Sequence, residues 1–409
     1  MGKEKKISWR QMYDYFRHIR RFLLICGLLV FLEMLVAPVL PSVIPETWYF
    51  RNYLSLKEIR QTHDFFNDYF DIEPDEHRGW RNRANAAYLK VRHDRFGSRS
   101  NTEFVPGQRK KWRVAFVGDS RIHGSSFYIE NNQTISACLE NKEIETLNLA
   151  TSGYTLDQVY LATEEAIGRF QPDVVVMGIS PDMSRSLDSH YLPLMSREQI
   201  SMPLLKSRFV LDNGQLQLQI PPNEMLHDLP DNPELLNYLK KHDARYEEFK
   251  KFQIWESTPM LAFLSILKTK FESKANVMAK QLGLSRQQPL ENLPLVRELI
   301  KKTRQLVMKN KIELVCLLIP TAEELSGNQY LAYNELASVL KSQSVNFIDV
   351  LPLFKNYSGT ERLFHDTYHG TYAAHQIIAK ALDQVISDLP DQNSMMMVRQ
   401  KCSSSPVMR

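Results

Sequence analysis

Two kinds of apolar pattern alternate along the chain. Short, nearly continuous runs rich in β-branched and aromatic residues cover 112–117, 144–149, 173–179, 312–319 and 345–350, and read as buried strands of a parallel sheet. Between them lie longer stretches that read as helices, around 132–141, 156–169, 293–310, 329–343 and 371–388. This alternation predicts an α/β fold, most simply a three-layer αβα sandwich of five parallel strands with helices on both faces. The pattern breaks between 185 and 290. There, alternating apolar residues on either side of Asp212-Asn213-Gly214 predict a β-hairpin, and helical stretches follow around 233–252 and 258–282.

A third apolar pattern lies near the start. Residues 22–44, FLLICGLLVFLEMLVAPVLPSVI, are long enough to cross a bilayer, and 1–21 carry seven Lys or Arg against two acids. Together they predict a single transmembrane helix with a cytoplasmic amino terminus and everything after it outside, in the periplasm for a cell inner membrane. A cleaved signal peptide is the alternative, but the basic region is long and no small-x-small site follows the apolar core. Glu33 sits near mid-span, where a carboxylate costs roughly 2.5 to 3.5 kcal/mol on insertion scales. It is either protonated and tolerated or in contact with another membrane protein's helix. Pro38 and Pro41 kink or end the helix.

The expected organisation is a cytoplasmic basic segment (1–21), the transmembrane helix (22–44), a stalk and lead-in (45–110), and the first part of the α/β domain (111–184). An insertion (185–290), the second part of the domain (291–389) and a loose tail (390–409) complete it. The insertion follows the third strand, next to the active edge of the sheet. It serves either as a lid or substrate platform, or as plain coverage.

Composition narrows the classes. A chain of 409 residues, 43% hydrophobic and 24% charged, is ample for one large domain with an insertion and excludes disorder for most of its length. A net charge of +4, much of it in the first 21 residues, argues against nucleic acid as partner. Cys26, Cys138, Cys316 and Cys402 lack the spacing of a zinc site or a disulfide framework. No metal site, nucleotide-binding glycine loop or cofactor is expected.

The candidate chemistry gathers at strand ends. The run 112–117 stops at Gly118-Asp119-Ser120, which places Ser120 at a strand's carboxyl end, the usual location of chemistry in open α/β sheets. A serine there becomes a nucleophile if a base takes its proton and a third group orients the base. Asp366-Thr367-Tyr368-His369, just ahead of a helix, offers both. The competing readings are a helix cap for Ser120, a surface histidine for His369 and an ordinary first-turn acid for Asp366. Asp119 is read as supporting the turn, Arg121 and Arg185 as surface charges and His123 as surface or supporting. No catalytic constellation is read in the lead-in.

Gly118-Asp119-Ser120 with Gly124, then Ser152-Gly153-Tyr154, then Asp366-x-x-His369 together resemble the SGNH (GDSL-like) hydrolase superfamily. The lead-in with Gly79-Trp80 and Phe96-Gly97, the stretch 148–158 and Leu318-Ile319-Pro320-Thr321 are similar to its membrane-anchored, extracytoplasmic bacterial branch. That resemblance implies a nucleophilic Ser120, a general base His369 and an orienting Asp366, with the backbone N–H groups of Ser120 and Gly153 in the oxyanion hole. It also implies action on cell-surface glycans, often beside a polytopic O-acyltransferase. The chain departs from the family where an asparagine usually completes the hole. Here stands Gly178-Ile179-Ser180-Pro181-Asp182, so either Ser180 supplies a shorter donor or the position falls on Pro181-Asp182 and the donor is lost. Ala374 stands where the family often has glycine.

The function expected from these residues is a membrane-anchored serine esterase or O-acyltransferase. It would act through an acyl-enzyme on short acyl esters of a glycan, most plausibly O-acetyl. The alternative is a non-catalytic accessory protein of the same fold that binds a surface polysaccharide or a membrane O-acyltransferase.

Overall fold

The computed structural model describes residues 20–21, 24–25, 27–28, 31, 35, 71–191, 204–222, 232–246, 289–327 and 331–390. The expected transmembrane helix lies mostly outside these residues, as do the expected helix at 258–282 and nearly all of the tail. Among the described residues, no helix is long and apolar enough to cross a membrane. The chain divides into two units, one of Met1–Asp64, Ser189–Leu205 and Glu224–Arg286, the other of Phe65–Asp188, Lys206–Asn223 and Gln287–Arg409.

The second unit holds the sheet. Its strands, in chain order, are β1 (Ile72–Asp75), β2 (Gly79–Asn82), β3 (Ala87–Tyr88), β4 (Val91–Arg92), β5 (Trp112–Val117), β6 (Ile144–Asn148), β7 (Val174–Ile179), β8 (Arg208–Asp212), β9 (Gln215–Gln219), β10 (Glu313–Leu318) and β11 (Asn346–Asp349). Five of them form one sheet in the order β11-β10-β7-β5-β6, every neighbouring pair parallel. The chain leaves β5 toward β6 on one side and returns to β7 on the other. The carboxyl end of β5 is therefore the point where the winding reverses, which is where doubly wound sheets open a crevice.

The residues explain why these strands are central. WRVAFV and VVVMGI are buried at every position, as strands covered on both faces must be. On one face Val114 and Phe116 pack with Ile135, Leu139, Ala374, Ile378, Leu382 and Ile386. The other face is covered by the helices Leu156–Phe170 and Leu293–Lys309. The expected hairpin forms as the antiparallel pair β8-β9, which belongs to this unit; Phe209 sets its ring edge-on to Tyr160, 5.5 Å between centroids. A fully buried ion pair, Lys206 Nζ to Asp157 Oδ2 at 2.6 Å, joins the start of that segment to the helix beginning at Leu156.

The lead-in carries more order than its irregular composition suggested. β1 pairs with β2 and β3 with β4, each antiparallel. Trp80, fully buried, donates from Nε1 to Ser152 O at 2.9 Å, and Tyr154 Oη donates to Trp80 O at 2.7 Å. Asn82 Nδ2 donates to Gly97 O and Ala150 O. The lead-in thus fixes the loop that follows β6.

In the first unit, the helix Pro233–His242 packs Leu235, Leu236 and Leu239 against Tyr191, Leu205 and Tyr246. Asp243 accepts from Ser189 Oγ at 2.7 Å and from the His190 amide at 2.6 Å.

Candidate active site

Ser120 begins a short helix, Ser120–His123, directly after β5. Asp119 caps it by accepting from the Arg121 amide at 2.9 Å, as expected for a turn-supporting residue. The helix is pressed onto the sheet by Ile122, for which two glycines make room. A Cβ on Gly178 would lie 2.1 Å from Ile122 Cγ1, and one on Gly118 would lie 2.7 Å from it. Ser120 itself is half-buried at the sheet edge.

Opposite it stands His369, in a turn closed by the Phe364–Gly370 bridge and by the His365 amide donating to His369 O at 2.8 Å. His369 Nε2 lies 2.9 Å from Ser120 Oγ, and His369 Nδ1 lies 2.7 Å from Asp366 Oδ2. The other carboxylate oxygen, Oδ1, accepts from the Tyr368 and His369 amides at 2.7 and 2.8 Å. Burial alone would raise the Asp366 pKa. The bonds from the His369 ring and the two amides outweigh it and hold the carboxyl below its usual range. An ionised carboxylate only accepts, so Nδ1 carries the imidazole proton and Nε2 presents its lone pair to the serine.

The carboxyl edge also offers donors. Gly153, at φ +79°, turns the chain after β6. Among the described residues, neither its amide nor that of Ser120 has a protein acceptor.

Ser180 follows β7 and is 2% exposed. Its Oγ accepts from Arg121 Nη1 at 2.8 Å. Arg121, expected on the surface, is in fact buried. Its guanidinium is ion-paired to Asp119 and Asp182 and lies 5.2 Å from the Tyr368 ring centroid. Burial opposes its charge, but the two carboxylates outweigh that and raise its pKa. Burial likewise pushes Asp182 up, and Arg121 overrides it and holds the carboxyl low. Asp182 is thus the partner of a buried cation. Ser180, with its oxygen already accepting, keeps its hydroxyl proton to donate. Arg185, by contrast, is exposed, as expected, with Nε 4.0 Å from Glu291 Oε1.

The other histidines sort by burial. His375 is buried, with Nδ1 3.1 Å from Gln133 O, whereas His365 stacks on Tyr128 with centroids 4.7 Å apart. Tyr128 also lies 5.8 Å from the His369 ring, and Phe127 and Tyr368 are exposed near it. His123, read as surface or supporting, is completely buried. It joins Asp71 and His93 in a cluster whose ligand-capable atoms lie within 4.8 Å of one another. No metal site was expected from the sequence, yet these three potential ligands come together here. No spacing rule signals it, because its three members come from separate segments, two of them in the lead-in.

No family model matches the chain, and no curated protein matches its sequence. Solved structures with which it shares similarity include an alpha/beta hydrolase enzyme from the metagenome of Lake Arreo, Spain, at 13% identity and TM-score 0.36, covering 67% of this chain and 94% of that one. The lipase/acylhydrolase from Enterococcus faecalis is 10% identical at TM-score 0.35, over 70% and 99% of the two chains. A catalytic mutant of an acetylxylan esterase from Geobacillus stearothermophilus is 12% identical at TM-score 0.35, over 67% and 94%. Likeness at this level is too low to assign a function, which rests instead on the arrangement of Ser120, His369 and Asp366.

Proposed function

We propose that this protein is an SGNH-type serine hydrolase or O-acyltransferase that cleaves or transfers short acyl esters through an acyl-enzyme on Ser120. The observation that carries this reading is the unbroken relay from Ser120 Oγ to His369 Nε2 and from His369 Nδ1 to Asp366 Oδ2, at 2.9 and 2.7 Å. Nucleophile and base are 249 residues apart in sequence yet within hydrogen-bond reach.

In this reading His369 Nε2 takes the proton of Ser120 as Oγ attacks the ester carbonyl carbon. The carbonyl π electrons move to oxygen, which is stabilised by the amides of Ser120 and Gly153 and by the Ser180 hydroxyl. Asp366 stabilises the imidazolium. As the oxyanion collapses, the C–O bond to the alcohol breaks, and the leaving oxygen takes the proton from His369 Nε2. A water or an acceptor hydroxyl then attacks the acyl-enzyme, again with His369 as base, and Ser120 is restored. Water exclusion and acceptor positioning decide between hydrolysis and transfer.

The finer reading is action on acyl, most plausibly O-acetyl, groups of a cell-surface glycan, by a domain held outside the cytoplasm on the 22–44 helix beside a membrane acyltransferase. The basic flank before that apolar run supports the orientation. The aromatic rings of Phe127, Tyr128 and Tyr368 support a sugar, since flat rings suit its C–H faces. A non-catalytic accessory role is the second reading, favoured by the serine that stands in place of the family's asparagine.

The test is release of p-nitrophenol from p-nitrophenyl acetate by the full chain in detergent, with Ser120→Ala as control. A burst equal to the enzyme concentration, absent in the variant, is the expected result. Slow turnover after the burst marks a transferase without its acceptor. Folded wild-type protein no faster than Ser120→Ala favours the accessory role.

A further inference from the structure

Asp71 precedes β1, His93 follows β4, and His123 ends the helix that Ser120 begins. All three are interior, at 1%, 6% and 0% exposure, and their ligand-capable atoms lie within 4.8 Å of one another. We propose that these three side chains bind one divalent transition-metal ion, with Zn²⁺ the best match, and that the ion clips the lead-in to the nucleophile's helix.

The donor set is the first argument. Two imidazoles and one carboxylate suit Zn²⁺, which accepts nitrogen and oxygen ligands in a tetrahedral arrangement. The spacing is the second. His93 Nε2 and His123 Nε2 are 3.0 Å apart. Two nitrogens bound to one tetrahedral zinc sit about 3.3 Å apart, so a small outward shift of either ring admits the ion.

The surroundings orient two of these ligands, His93 and Asp71, as metal sites require. His93 Nδ1 lies 3.2 Å from Arg83 O, and because a carbonyl only accepts, the proton sits on Nδ1 and the Nε2 lone pair faces His123. Ser126 Oγ donates to Asp71 Oδ2 at 2.9 Å and fixes that carboxylate. The remaining oxygen, Asp71 Oδ1, is buried without a hydrogen-bond partner. A buried carboxylate oxygen left bare is costly, and a bound cation removes that cost.

The buried Arg99 is the opposing charge. Its guanidinium donates to Asn131 Oδ1 at 3.1 Å, to His123 O at 3.0 Å and to Ile129 O, which leaves the free oxygen of Asp71 to the ion. Three protein ligands leave the fourth tetrahedral position to a water. The ion ties Asp71 and His93 of the lead-in to the segment that positions Ser120.

The test uses the full chain in detergent, stripped with a chelator and confirmed folded by circular dichroism. Zn²⁺ is titrated against a chromophoric competitor, thermal unfolding is followed with and without Zn²⁺, and Co²⁺ is added for its visible spectrum. Expected are one ion per chain, a higher Tm with Zn²⁺ and a tetrahedral Co²⁺ spectrum. Asp71→Asn, which keeps size and the Ser126 contact, should weaken binding by roughly 10- to 100-fold or more, and His93→Gln likewise. Ser120→Ala should bind as wild type does. Folded wild-type protein that takes up no Zn²⁺ overturns the proposal, as does unchanged affinity in folded Asp71→Asn or His93→Gln. Should both variants fail to fold, the wild-type stoichiometry, Tm shift and Co²⁺ spectrum still decide.

Discussion

Ser120 and Ser180 stand at the carboxyl ends of the neighbouring parallel strands β5 and β7, each two residues after a glycine. Ser120 is half-buried and meets a histidine nitrogen with a free lone pair. Ser180 is buried and meets a guanidinium, whose N–H groups can only donate. One oxygen is therefore placed to lose its proton and the other to keep it. The group across the crevice, rather than the strand end itself, assigns the role of a serine.

Substitutions can break this contrast, and the largest effect is expected at the nucleophile. Ser120→Ala should lower kcat for an activated ester by about 10⁶-fold, the scale seen when a triad nucleophile is removed. Asp366→Asn should cost about 10⁴-fold at unchanged fold, because an amide beside Nδ1 no longer enforces the tautomer that leaves Nε2 bare. Steady-state kinetics with circular dichroism as the folding check reads both.

Ser180 carries the next expectation. If its hydroxyl donates to the oxyanion, Ser180→Ala should lose about 100-fold to 1000-fold in kcat with KM little changed, and Ser180→Thr should recover much of it. An effect on stability alone, with kcat intact, would make Ser180 a support for Arg121 only.

The smallest effect tests the charge around that support. Glu324 caps the turn after β10 and accepts from the Thr321 amide at 2.7 Å. Burial raises its pKa to about 7; the Thr321 amide pulls it down and Asp182 adds to the rise. A folded-state pKa above the unfolded value of 4.5 means the folded protein holds that proton more tightly, so wild-type stability falls as pH climbs from 4.5 toward 7. Glu324→Gln keeps a cap and removes this loss. Its advantage in urea unfolding should be near zero at pH 4.5 and grow toward pH 8, by at most about 3 kcal/mol.

The strands and the meeting of Ser120, His369 and Asp366 were legible in the sequence for a physical reason. A strand covered on both faces must be apolar throughout, so 112–117 and 174–179 stand out, and the residues that end them fall at the sheet edge. Asp366 and His369 lie three apart in one turn, so their pairing is local. Charge misled at Arg121, which sequence alone assigns to solvent. Its burial depends on Asp119 two residues before it and on Asp182, 61 residues on, a pairing made only when β5 and β7 align. The cluster of Asp71, His93 and His123 was hidden for the same reason, since no local spacing links three segments. β1 and β2 were missed because their pairing rests on the buried Trp80 and its long-range bonds, in strands of only four residues.

The most direct test of the account is active-site labelling of the full chain with a fluorophosphonate, read by intact mass and peptide mapping. The account predicts one adduct per chain, on Ser120, lost in Ser120→Ala and strongly slowed in Asp366→Asn. An adduct on Ser180, or no adduct on Ser120 in folded protein, would contradict it.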